Sequence, residues 1–420
     1  MIPPSLTTHG SHAEMKFKPT LFALALSAGL ALSGCGSDQK DAAAPAAADD
    51  AATAAAPAAP PPTALPPPPQ LNARSFIVID HESGRVLAAL EPDSRQEPAS
   101  LTKLMTAYGV FKALKENRIK LTDMVTISEH AWRPATKESL MFVELGKPVS
   151  VENLIQGMIV VSGNDATVAL AEKVGGTEAT FVQMMNTYAK QLGMTGTHFM
   201  NAAGMPDPEH YTTARDAAVL ASALIHEFPE YYKWYSQKEF TWNGITQQNR
   251  NGLLWRDPTV DGVKTGHTDT AGYCLVTSAK RDGMRLVSVV LGTESMRARE
   301  DASAALLGYG FNFFETKRIY AAGQPLTTMR VWKGKQDSTG LTVGRDLYVT
   351  SQRGHVSSVK AEFELPQALL APLSKNQAVG KAKIVVDGQT IATYDLFPTA
   401  DVPAAGFFGR AWDSLRLLFH

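Results

Sequence analysis

Cysteine is almost missing from this chain: Cys35 and Cys274 are the only two in 420 residues. Two cysteines cannot frame a disulfide-rich scaffold. No Cys/His cluster has the spacing of a zinc site, so the chain is read as needing neither metal nor cofactor. An excess of either charge is also missing. Forty basic and 41 acidic residues leave a formal net charge of -1. Without a dense Lys/Arg stripe, nothing favours nucleic acid as a partner. Long apolar runs are missing too: the longest is about 14 residues, and a spanning helix needs about 20. Catalysis, if present, must rest on ordinary side chains. Apolar residues make up 44% of the chain, enough for a buried core, and the length suits two domains with appendages.

The apolar run lies at residues 20–34, after Lys16 and Lys18. A short basic region before such a run reads as a signal peptide, with Met15 as its natural start. It ends in Leu32-Ser33-Gly34-Cys35, which resembles the lipobox of bacterial lipoproteins. The resemblance implies lipid on Cys35, with an ordinary signal and a chance cysteine as the plainer alternative. Lipidation would leave Cys274 without a partner, so no intrachain disulfide is expected. Residues 1–35 are thus assigned to the signal and lipobox. Residues 36–71, rich in Ala and Pro, cannot bury apolar surface and are read as an extended tether.

Strand and helix signals then alternate. Phe76 to Asp80 and Val86 to Leu90 read as a hairpin. A long helix is expected after Pro98, with Leu101, Leu104, Met105, Tyr108, Phe111 and Leu114 at helical spacing. Further helices are expected near 151–161, 164–174, 178–192 and 213–226. Three strands follow from Val260, with Arg281-Asp282-Gly283 as a hairpin turn, and a helix at about 298–314 closes the unit. Residues 72–325 are therefore an α+β domain. Residues 326–400 offer only short β-type runs and are read as a small all-β sandwich.

Three short motifs carry chemistry. Ser100-Leu-Thr-Lys103 places a hydroxyl and an amine one helical turn apart at a helix start. The positive end of the helix favours an alkoxide there. Many surface helices contain Ser-x-x-Lys by chance. Ser162-Gly163-Asn164 lies between two helical segments and, alone, reads as a capped turn. Lys264-Thr265-Gly266-His267 ends a strand, and its glycine would allow close approach by a ligand. In this order and setting the three motifs mark β-lactamases and penicillin-binding proteins.

The surrounding segments extend the likeness. Pro98 to Met105, Gly193 to Phe199, His210 to Asp216, Asn249 to Trp255 and Asp261 to Thr268 resemble the D-alanyl-D-alanine carboxypeptidases, the low-molecular-mass penicillin-binding proteins. The resemblance covers about residues 72–420 and implies a β-lactamase/DD-peptidase-like catalytic domain followed by a small all-β domain. It implies Ser100 as nucleophile and Lys103 as general base, which requires a neutral amine and surroundings that lower its pKa from the ordinary value of about 10.4. Lys264 is the nearby cation that would help. It further implies Ser162 as a proton relay and Asn164 as an orienting amide. Backbone N–H groups of Ser100 and His267 would form an oxyanion hole. Lys264, Thr265 and Arg299 would meet the substrate carboxylate, with Gly266 and His267 also in the substrate-binding site, although Arg297 lies close enough to Arg299 to confuse that assignment. The implied partners are peptidoglycan stem peptides ending in D-Ala-D-Ala and, as mimics, β-lactam antibiotics.

Three rival functions remain. A class A β-lactamase would need a further glutamate, and no Glu-x-x-Leu-Asn segment lies between the second and third motifs. A transpeptidase or endopeptidase would share every motif. A non-enzymatic envelope scaffold would be expected to show decayed motifs, and these are intact.

The C-terminal segment, residues 401–420, is expected to form an amphipathic helix. At about 100° per residue, Phe407, Phe408, Ala411, Trp412, Leu415, Leu418 and Phe419 fall within an arc of about 140°. Such a face suits a membrane interface, or docking on the all-β domain. The expected setting is therefore exported, periplasmic and membrane-anchored.

Overall fold

A computed structural model describes residues 65–133, 139–354 and 358–417. The expected signal, the lipobox with Cys35, the tether up to residue 64 and the last three C-terminal positions lie outside the described residues.

The larger domain is built on a five-stranded antiparallel sheet. Its strands are β1 (Ser75–Asp80), β2 (Val86–Leu90), β3 (Val260–Thr268), β4 (Gly272–Arg281) and β5 (Met284–Thr293), in the order β2-β1-β5-β4-β3. Side chains alternate faces along a strand. Ile77, Ile79, Val276, Val287 and Val289 accordingly join one apolar cluster, and Phe76, Val78, Leu275, Leu286 and Val290 the other. Between β4 and β5, Asp282 and Gly283 both have positive φ (47° and 84°), as a two-residue hairpin turn requires.

On the first face lie helices α1 (Lys103–Lys115), α2 (Val151–Val160), α3 (Asn164–Gly175), α4 (Glu178–Gln191) and α5 (Ala214–Glu227). Helix α6 (Met296–Phe313) covers the second face with Leu306 and Leu307. α1 is buried nearly all round, from Leu104 through Leu114. Small and apolar residues on every side make it a central helix rather than an amphipathic surface one.

One expectation changes here. The helix after Pro98 does not begin as an α-helix: Ala99–Thr102 form a 3-10 turn, and Lys103 is the first α-helical residue. The nucleophile candidate therefore sits in a tight turn, with Ala99 before it at φ 46°.

After α6 the chain enters strand Phe314–Tyr320, which pairs with Leu347–Gln352. A six-stranded sheet follows around Val331, Leu341, Val343, Leu347, Ile384 and Leu396. Asp80 ties the two parts together. Its carboxylate accepts from the Ser83 hydroxyl at 2.8 Å and from the Thr316 hydroxyl at 2.7 Å. The described residues end in helix α7 (Phe407–Leu417), none of whose residues is buried.

Candidate active site

Ser100, Lys103, Ser162, Asn164, Thr265, Gly266, His267 and Arg299 come together, although they are spread over 200 positions of sequence. All of them except Lys103 line one cleft of about 790 Å³. Lys103 lies directly beneath it, 1% exposed.

Lys103 holds the first motif to the second. Its Nζ lies 2.6 Å from Asn164 Oδ1, 2.7 Å from the Ala203 carbonyl oxygen and 3.0 Å from Ser100 Oγ. Two of these contacts are carbonyl oxygens, which can only accept. A neutral amine satisfies both with its two N–H groups and keeps its lone pair for the Ser100 hydroxyl. That is the arrangement a general base needs.

Ser162 follows the last turn of α2, and Asn164 opens α3. The single glycine between them leaves Ser162 with φ 63°, a conformation that costs a non-glycine residue about 1–3 kcal/mol. The bend turns both side chains toward the cleft. Lys264 Nζ donates to Ser162 Oγ at 2.9 Å, joining the second motif to the third.

Lys264 and Gly266 lie on β3, an edge strand that pairs only with β4 among the described residues. Gly266 does allow a close approach, though by the protein's own chain. A Cβ there would lie 2.9 Å from the Pro98 carbonyl oxygen and 3.3 Å from Ala99 Cβ. The missing side chain lets the strand press against the serine-bearing turn.

Arg299 rather than Arg297 belongs to the site. Arg297 is exposed and paired with Asp301 at 3.0 Å, whereas Arg299 is 2% exposed. Arg299 donates to the backbone oxygens of Gly266 and Arg250, each at 3.2 Å, and its buried Nε has no partner. Arg250 and Arg299 thus line the cleft, while Lys264, buried like Lys103, reaches it through Ser162. Burial, followed by the charges of Lys103, Arg250 and Arg299, holds the Lys264 ammonium well below the usual lysine range. Such a site favours an incoming carboxylate and readily gives up a proton.

The family model for D-alanyl-D-alanine carboxypeptidase matches residues 62–295, and that for the C-terminal domain of penicillin-binding protein 5 matches residues 314–404. This chain belongs to the D-alanyl-D-alanine carboxypeptidase family. The relationship runs through nearly the whole length of the family's members. The chain is 48% identical to D-alanyl-D-alanine carboxypeptidase DacA of Haemophilus influenzae over 83% of this chain and 90% of that protein. It is 45% identical to DacA of Escherichia coli, over 84% and 89%. The structure resembles that of penicillin binding protein 5 from Haemophilus influenzae with a TM-score of 0.74 at 48% identity, covering 80% of this chain and 99% of that one.

Two residues of this carboxypeptidase-family site were not singled out from the sequence. Arg250 lies inside a segment that carried the family resemblance, but nothing in its spacing showed that it would line the cleft. Asp165, next to Asn164, shapes the site from behind. Its carboxylate accepts from the backbone N–H groups of Met141, Phe142 and Val143 at 2.9, 2.8 and 3.1 Å. An acid in the first turn of α3 was the available signal.

The geometry around Arg299 gives a first prediction. Arg299→Gln should raise KM for a peptide with a free C-terminal carboxylate by about 10- to 100-fold, the loss of a charged hydrogen bond of roughly 1.5–3 kcal/mol. A peptide amidated at its C-terminus should be hardly affected. Equal losses for both peptides would remove Arg299 from carboxylate binding.

Proposed function

We propose that this protein is a serine-type D-alanyl-D-alanine carboxypeptidase that removes the terminal D-alanine from peptidoglycan stem peptides through an acyl-enzyme on Ser100. The observation that carries this reading is Lys103 Nζ, 3.0 Å from Ser100 Oγ and within hydrogen-bond distance of the Asn164 Oδ1 and Ala203 carbonyl oxygens.

The substrate carboxylate docks against Lys264, Thr265 and Arg299, with Arg250 adding charge. Docking places the carbonyl between the two D-alanines over Ser100. Lys103 takes the hydroxyl proton as Ser100 Oγ bonds to that carbon. Backbone N–H groups of Ser100 and His267 stabilise the oxyanion, a contribution of about 3–4 kcal/mol per donor. The C–N bond breaks, and the leaving nitrogen receives its proton through the Ser162 hydroxyl, which Lys264 holds in place. Water then attacks the ester and frees the shortened peptide and Ser100. Penicillin enters the same route and is released slowly, so it traps the enzyme.

Among the described residues lining the cleft there is no glutamate, and Asp269 is its one acid. The balance between water and amine as acceptor is tested by products. A D-Ala-D-Ala peptide incubated with excess glycine should yield free D-alanine and the shortened peptide. A predominant glycine-exchanged product would make the enzyme a transpeptidase.

The reading extends to location: export, a lipid on Cys35, a tether that reaches the domain by Pro66, whose carbonyl oxygen accepts from the Tyr309 hydroxyl at 3.0 Å, and membrane contact through α7. Phe407, Phe408, Trp412 and Leu415 of α7 are 72%, 86%, 57% and 54% exposed. Among the described residues, Lys333 N donates to Asp413 Oδ2 of the helix at 2.6 Å. No helix among the described residues is long and apolar enough to cross a membrane. A Cys35→Ser protein should float with anionic phospholipid vesicles, and the same protein lacking residues 402–420 should not. Equal flotation would exclude α7 as a membrane contact.

A further inference from the structure

His210 lies behind the site, 2% exposed, and takes no part in the chemistry described above. Its ring joins two elements that meet at Lys103. Nε2 lies 2.9 Å from the hydroxyl of Thr102, the residue before Lys103. Nδ1 faces two donors, Met200 N and Asn201 Nδ2, each at 3.3 Å. Two N–H groups aimed at one ring nitrogen make it the acceptor, so the proton sits on Nε2 and is donated to Thr102.

From Asn201 the network runs into the loop at 201–205. Asn201 Oδ1 accepts from Gly204 N at 2.7 Å and Met205 N at 2.8 Å. These bonds fold the loop so that the carbonyl of Ala203, between them, points at Lys103 Nζ. Gly204 holds the same loop against the nucleophile turn. Its φ is +87°, and a Cβ on it would overlap the carbonyl oxygen of Ala99.

We infer that His210 is a positioning residue: its neutral imidazole clamps the Thr102–Lys103 turn to the 201–205 loop and so fixes the carbonyl of Ala203 that orients the Lys103 amine. The inference rests on the reading of Lys103 as the base. Protonation would undo the clamp, because Nδ1 would then be a third donor among donors. Burial opposes this and lowers the His210 pKa to about 4, with His198 acting in the same direction and Asp207 against it. The clamp is therefore in place throughout the neutral range.

The test uses full-length His210→Phe, His210→Gln, Thr102→Val and Lys103→Ala proteins. For each, kcat and KM for D-alanine release, the penicillin acylation rate from pH 5 to 10, and the thermal midpoint are measured. His210→Phe keeps the ring but offers no hydrogen bond. It should lower kcat and acylation by about 10- to 100-fold, the cost of misplacing a reacting group by about 1 Å. KM should stay within about threefold of wild type. The pH at which acylation reaches half its plateau should move down, since a lost carbonyl acceptor stabilises the ammonium less. His210→Gln, which can both donate and accept, should recover part of the rate, and Thr102→Val should fall in the same direction as His210→Phe.

A purely structural role would lower the thermal midpoint and leave the acylation rate and its pH profile unchanged. That result, in His210→Phe or in a folded Thr102→Val, overturns the inference. Lys103→Ala separates the two levels. If it acylates normally, the reading of the base fails. If it is inactive while His210→Phe and Thr102→Val are normal, only the clamp fails.

Discussion

Ser100→Ala should leave a folded protein that neither binds penicillin covalently nor releases D-alanine. Ser100 is half-buried in the Ala99–Thr102 turn, and its hydroxyl oxygen lies 3.0 Å from Lys103 Nζ, where it serves the reaction rather than packing. Alanine keeps the turn, the oxyanion N–H groups and the carboxylate site. What disappears is the atom that bonds to the substrate carbon. Turnover should fall by at least about 10³-fold, with any remainder due to binding and oxyanion stabilisation alone. The affinity for a D-Ala-D-Ala peptide should stay close to wild type, because Lys264, Thr265 and Arg299 are untouched. Gel labelling with a fluorescent penicillin, thermal melting and D-alanine release from one preparation check all three expectations. Release at the wild-type rate would end the case for Ser100.

Lys103→Met carries the second largest effect. Methionine is close to lysine in length, so the buried volume is conserved. The base is lost, and acylation should drop by about 10²–10⁴-fold, the usual range for general base catalysis. Stability involves two opposing terms. Asn164 Oδ1 and the Ala203 carbonyl lose their donor, at about 1–3 kcal/mol for each buried group left unpaired. Against this, an amine is itself costly to bury, and methionine removes that cost. The thermal midpoint should therefore move much less than the activity. A variant that acylates at the wild-type rate would show that another group takes the Ser100 proton.

Much of this was legible in the sequence, because the fold follows strong periodicities. The strands of the central sheet alternate between two cores, and the helices after Val151 and Asn164 begin at the expected positions. The three motifs meet because α1, the α2–α3 corner and β3 converge on one cleft, which the family resemblance implied and local pattern alone could not show. What escaped was geometry at the scale of one turn. The 3-10 start at Ala99 depends on Gly204 and Gly266 packing against it, both distant in sequence. Residues two apart on a helix face nearly opposite ways, so the choice between Arg297 and Arg299 needed the phase of α6. That phase is present in retrospect: Arg299, Ala302, Ser303, Leu306, Leu307 and Gly310 form the buried stripe. Arg250 could not be phased at all, since it precedes a single short helical turn.

The most direct measurement is the location of the acyl group. The full-length protein is incubated with penicillin, quenched in acid and digested, and the adduct is mapped by mass spectrometry while D-alanine release is followed in parallel. A single penicilloyl group on Ser100, rising in step with the loss of release, is the predicted result. An adduct on another residue, or full inhibition with Ser100 unmodified, would contradict it.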